Sequence, residues 1–170
     1  MKLLGKIATL ALALTAMAIR AEALEPVPIA VLDFDYSDTS GEPQDQTEQH
    51  QARLHDFAER IRAALSASGA YRVVAVECAK PPCSAKNYEA EELFAMTRRA
   101  GAKLMLFGGL HKMSTLVQMG RVELIDVVAN RLIEERRLSF RGDTDEAWRR
   151  AADYVAQKMT TRTQQEDLRQ

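Results

Sequence analysis

The chain has 170 residues, 46% of them hydrophobic, and 23 Lys and Arg stand against 24 Asp and Glu. That apolar share excludes a wholly disordered chain, and a net charge of −1 offers no field to attract nucleic acid. The length fits one domain of ordinary size.

The chain opens like a secretory leader. Lys2 and Lys6 form a basic start, an uncharged apolar run spans Ile7 to Ile19, and Ala21-Glu22-Ala23 gives a small-x-small cleavage signature before Leu24-Glu25-Pro26. The run is shorter than the roughly 20 residues a membrane span needs, which leaves an uncleaved anchor as the rival reading. A cut after Ala18 is an alternative to one after Ala23, and no Cys follows either site to carry a lipid. Removing residues 1–23 leaves 147 residues with 20 basic against 23 acidic side chains. The expectation is an exported, periplasmic or secreted protein with no membrane span in its mature chain.

Residues 28–36 read as a central strand, followed by a polar, mobile loop from Ser37 to Thr47. Leu54, Phe57, Ala58, Ile61 and Leu65 recur at helical spacing within residues 48–68, and Gly69 ends that helix in a left-handed cap. Tyr71 to Val76 is a second strand. The pair Cys78 and Cys83 follows, in Cys78-Ala-Lys-Pro-Pro-Cys83. In an exported chain they point to a disulfide; a metal pair would want further ligands, and a redox pair the two-residue spacing. Tyr88 to Ala100 is a second helix with Leu93, Phe94 and Met96 inward, and residues 103–108 are a third strand.

The pattern then becomes antiparallel. Ser114 to Val127 and Arg131 to Phe140 read as strands joined by a hairpin at Val128-Ala129-Asn130, with Gly120 marking a bulge. In the second strand Leu132, Glu134, Arg136, Leu138 and Phe140 share one face. Such mixed faces suit an edge strand able to accept a partner strand. Asp143 and Glu146 form a capping box for a last helix over residues 143–161, with Trp148, Ala151, Ala152, Val155 and Met159 as its buried stripe. Residues 163–170 read as a polar, disordered tail. The fold class is α/β: a single domain over residues 24–162 in the order β-α-β-α-β-β-β-α, with helices packed on a mixed sheet and a terminal hairpin and helix.

Gly109-Leu-His-Lys112-Met-Ser114 and Ser139-Phe-Arg141-Gly142-Asp143-Thr144-Asp145-Glu146-Ala-Trp148 resemble motifs of a family of secreted bacterial proteins of unknown function. The opening Ile29-Ala-Val-Leu-Asp33-Phe34 is similar as well. The resemblance implies no activity. At the level of element order the chain looks like the amino-terminal domain of the Tol–Pal translocation protein and the curli-export lipoprotein, which implies an envelope binding or assembly module.

Several groups invite chemistry. Asp33, Asp35 and Asp38 lie at a strand end, where α/β sheets bind ligands. Calcium is one reading, although the EF-hand pattern fails at Asp38 and Gln44; water-facing carboxylates are the other. Lys112 and Ser114 share a strand face but lack a nucleophile motif, so a polar strand start is the plainer reading. His50, His55 and His111 read as scattered surface histidines rather than ligands. Arg141-Gly142-Asp143 spells an adhesion tripeptide by chance. Arg141 and Trp148 flank one turn, where Trp148 either plugs the core or joins Arg141 in a binding rim. The expectation is therefore no catalytic residues, no metal and no cofactor. A partner or ligand rim is drawn from Asp33, Asp35, Arg141 and Trp148, and the partner is an envelope protein.

Overall fold

A computed structural model of the chain describes residues 25–167. The expected leader and both of its cleavage sites lie outside the described residues, as do positions 168–170. Among the described residues no helix is long and apolar enough to cross a membrane.

The architecture is the expected α/β domain. Strands β1 (Val27–Val31), β2 (Asp35–Asp38), β3 (Tyr71–Val73), β4 (Leu104–Lys112), β5 (Val117–Asp126) and β6 (Arg131–Arg141) form one sheet. Helices α1 (Thr47–Ala67), α2 (Ala90–Arg99) and α3 (Asp145–Asp167) pack on it. The sheet order is β3-β1-β4-β5-β6, with β2 also on β4; β1, β2 and β3 run parallel to their neighbours, and β5 and β6 are antiparallel.

The central strand explains the layering. Ile29 and Val31 point into a core shared with α1 and α3, while Ala30 and Leu32 point to the opposite side with Leu93 and Met96 of α2. Both faces are covered, so the strand reads as an unbroken apolar run. On α1 the buried residues Phe57, Ile61 and Leu65 recur every fourth position, and His50 and Arg53 extend the same stripe.

Several boundaries differ from the sequence reading. The single strand over 28–36 is two, because the Asp33 amide leaves the ladder for the carbonyl of Cys83 at 3.0 Å. β3 stops at Val73, opposite Ile29 and two residues short of the end of β1. β4 continues past Gly108 to Lys112, held by β2 on one side and β5 on the other. The residues after it turn, so β5 starts at Val117 rather than Ser114. Gly120 is not a bulge but regularly paired with Leu110 and Leu138; the register shift lies at Leu124/Ile125, which skips Ile133. Ile133 therefore packs against the α1/α3 core while Leu132 is half exposed, off the face expected for it. Asn130 takes φ 49° in the hairpin, as its side chain permits. α3 runs on to Asp167.

Asp143 does not cap α3. Thr144 does: its Oγ1 accepts the Ala147 amide at 3.3 Å, and its carbonyl accepts the Trp148 amide at 3.1 Å. The Asp143 carboxylate is drawn inward instead.

Candidate functional site

Asp143 is the centre of a buried polar hub. Its side chain is 10% exposed. Oδ1 accepts from Arg53 Nη1 at 2.7 Å and Trp148 Nε1 at 3.3 Å; Oδ2 lies 2.8 Å from both His50 Nε2 and Lys112 Nζ. A carboxylate offers about four acceptor sites, and all are taken. Lys112 is fully buried, and its ammonium donates to Asp143, to Glu42 Oε2 at 2.5 Å and to Gln46 Oε1 at 2.5 Å. An ammonium has three protons, and these three acceptors use them.

The charges tune one another. Burial alone would raise the Asp143 pKa, but the hydrogen bonds from Lys112 and His50 outweigh it and hold the carboxyl below its ordinary value. Burial would lower the Lys112 pKa, and Asp143 and Glu42 more than offset that and raise it. Burial, reinforced by Asp38 and Asp143, pushes the Tyr36 hydroxyl well above the usual range.

The hub joins distant segments: the loop after β2, the start of α1, the end of β4 and the turn between β6 and α3. Glu42 and Gln46 belong to the loop read as mobile; the structure ties it down through them and through the Thr39 amide on the Lys112 carbonyl at 2.9 Å. Lys112 is no polar strand start, and His50 is buried, not on the surface. His55 is exposed, and the His111 ring nitrogens lie 2.7 Å from Ser37 Oγ and 3.0 Å from Thr39 Oγ1.

The acidic strand end holds a loop. Asp33 Oδ1 accepts from Arg62 at 3.1 Å, and Oδ2 accepts the Cys83 amide at 2.8 Å. Asp35 accepts from Ser84 Oγ at 2.6 Å and the Lys86 amide at 3.1 Å. All four oxygens hold protein donors. Asp38 caps its own turn through the Ser40 amide at 2.8 Å. Among the described residues no group of three or more His, Cys, Asp or Glu is placed to hold a metal ion. Cys78 and Cys83 form a pair at disulfide distance, with Cα atoms 5.7 Å apart.

Trp148 is 2% exposed and sits among Tyr36, His50, Phe57 and Phe140 with ring centroids 5.8 to 6.4 Å away. It is a core plug, not a rim residue. Arg141, on the other side of the same turn, is exposed. The structure thus brings Asp33 and Asp35 to one loop, and Arg141 to a different edge beyond the hub.

At that edge, among the described residues, β6 pairs with β5 alone. Beside it a groove of about 540 Å³ runs between β6 and α3, floored by Leu138, Phe140, Ala147 and Ala151. Arg137, Ser139 and Arg141 line it along the strand edge, and Arg150 and Tyr154 along α3. Residue spacing alone foreshadows the edge strand; the helical wall depends on where α3 packs.

Three solved structures are similar to this chain. The LpoB C-terminal domain from Salmonella enterica is 14% identical, with a TM-score of 0.48, over 68% of this chain and 82% of that one. The PelC dodecamer from Paraburkholderia phytofirmans gives 14% identity and 0.47, over 77% and 86%. TolB from Acinetobacter baumannii gives 14% and 0.48, over 80% of this chain and 28% of that one. No curated protein matches the sequence. The motif-bearing body of the chain, residues 27–159, matches one family along its length, and the chain belongs to that family, DUF3280, described as a protein of unknown function (DUF2380).

Proposed function

We propose that this protein is an exported, non-enzymatic interaction or assembly module of the bacterial cell envelope, and that it binds its partner along β6. One observation carries the reading: an eleven-residue strand that, among the described residues, has a ladder on one side only, beside a groove. Such an edge presents unpaired N–H and C=O groups, the usual template for strand addition. The leader-like start supports export. The reading as a non-enzyme rests on the hub. Lys112 and Asp143 are the groups best suited to proton transfer, yet protein partners saturate both and Lys112 has no exposed surface. Each oxygen of Asp33 and Asp35 already accepts from a protein donor that pins the Cys83 loop or α1, which favours a structural role for this pair over an acidic ligand site.

A photo-crosslinking residue placed at the exposed Ser139 of β6, in the producing cells, tests this. A control at the exposed Arg99 of α2 sets the background. A discrete adduct from position 139 and not from 99 is expected. Identical adduct patterns from the two positions, or none from 139, would refute the reading.

A further inference from the structure

We propose that the segment taken up by β6 is extended and acidic, and that it adds as a strand along residues 137–141; this rests on β6 being the partner-binding edge. The two halves of β6 differ in charge. Glu134 and Glu135 lie in the first half and are paired with Arg136 and Arg137. The second half, Arg137-Leu-Ser-Phe-Arg141, contains no carboxylate.

The surroundings repeat that asymmetry. No acidic residue lines the groove between β6 and α3. Arg141 has no carboxylate partner among the described residues, and the Arg137 side chain is 83% exposed. Arg150 reaches Glu146 at 3.1 Å but is itself 64% exposed, so it can also face an incoming anion. Leu138, Phe140, Ala147 and Ala151 make the floor apolar, and the two alanines leave it open.

Strand geometry states what would fit. Five added residues cover about 17 Å, and alternate side chains fall on opposite faces. One set points into the α3 groove, where apolar side chains meet the floor. The other set lies on the open face beside Arg137, Ser139 and Arg141. A second groove, of about 660 Å³, begins there at Arg137 and Arg121, which share Glu135, and crosses β5 and β4 to Lys86 and Asp35. The carboxylate-free stretch 137–141 and the groove beside it are thus shaped for an alternating segment whose charge is negative. A second copy of this chain fits worse: centring two antiparallel β6 strands on Ser139 would set Arg137 opposite Arg141, and like charges directly opposite oppose pairing.

The test measures fluorescence anisotropy of labelled, capped peptides with alternating Glu and Val, or alternating Lys and Val, on the mature protein. Hydrogen exchange of the β6 amides maps the site. The acidic peptide should bind about tenfold or more tighter than the basic one and protect amides within 137–141. Arg141→Glu and Arg150→Glu, both exposed and so compatible with folding, should each weaken it about fivefold, and together they should reverse the preference. Binding should fall as salt rises. Equal affinity for both peptides, indifference to the reversals, protection elsewhere, or no saturable binding overturns the inference. A crosslink at Ser139 alongside such a failure leaves the β6 reading standing with another partner chemistry; no crosslink removes both.

Discussion

Replacing Asp143 by alanine removes one carboxylate and leaves two buried cations facing the gap. Arg53 keeps Asp145 at 2.8 Å and Lys112 keeps Glu42 and Gln46, so neither is stranded. Each nevertheless loses its most buried counter-charge, and His50 and Trp148 lose an acceptor. Removing one partner of a buried pair costs about 3–5 kcal/mol, which at about 2–4 °C per kcal/mol for a domain of this size lowers the melting temperature by about 10 °C. Asp145→Ala is the matched control. It removes a carboxylate that also binds Arg53 but is 70% exposed, and it should shift the melting temperature far less. Adding Lys112→Met to Asp143→Leu should recover much of the loss, since Glu42 can turn to water and two apolar side chains replace a buried pair. Thermal melts followed by far-UV circular dichroism measure all four proteins. Equal losses in Asp143→Ala and Asp145→Ala would refute the assignment of Asp143 as the hub, and an unrescued double variant would show that the cost lies in packing rather than charge.

The hub also sets a pH window. The Asp143 pKa is depressed, so its contribution is present above the ordinary value of 3.8 and lost as pH falls through the folded value; the Lys112 pKa is raised, so its contribution holds below 10.5 and is lost as pH rises through the folded value. Denaturant midpoints against pH should show an acid limb that flattens in Asp143→Asn, and an unchanged limb in that variant would count against the pairing. Gly108→Ala would place a Cβ 2.1 Å from the Arg121 carbonyl, backbone that cannot step aside, whereas at Gly120 the nearest atom is the movable Leu110 Cδ2 at 2.5 Å and at Gly109 contact is ordinary at 3.4 Å. Urea unfolding should rank the losses Gly108 > Gly120 > Gly109, with Gly120→Ala costing about 1–3 kcal/mol; a tolerant Gly108 would contradict the close strand approach. Cys78→Ser with Cys83→Ser should cost about 2 kcal/mol for so short a loop, read as a melting temperature lower by several degrees, and thiol titration of the native protein should find no reactive thiols.

What could be read from sequence alone was what local spacing encodes. The α1 stripe, the helix-ending Gly69, the hairpin at Asn130 and the edge character of β6 are all nearest-neighbour patterns. The hub is not, because Asp143 meets His50 and Arg53 across 93 and 90 residues. Its one local trace is that His50 and Arg53 continue the spacing of Phe57, Ile61 and Leu65, two polar residues on an otherwise apolar face. Asp143-Thr144-Asp145-Glu146 offers two good N-caps in a row, and only the buried cations decide that Thr144 caps while Asp143 turns inward. Gly108-Gly109 reads as a strand end because glycine weakens strands; here it is required by the approach of the β5 backbone. The break after Val31 depends on the loop at Cys83, which no pattern within 28–36 could reveal.

The turn after β6 joins the buried hub to the strand edge. Arg141 leaves it outward and Asp143, two residues on, leaves it inward. A buried ion pair is weak evidence of stability, because desolvation consumes much of its attraction. Its directional hydrogen bonds do, however, fix positions. Four donors on Asp143 hold the end of β6, the entry of α3, the first turns of α1 and the end of β4 in one arrangement. The α3 half of the groove floor, Ala147 and Ala151, is held in place relative to Leu138 and Phe140 by that junction. A rim cation carried on a junction so fixed has less freedom to lose when an anion arrives, so more of each contact survives as affinity. On the proposal that β6 is the binding edge, the hub supports it without touching the partner: loosening the hub by Lys112→Met with Asp143→Leu should leave the fold intact while weakening capture at β6.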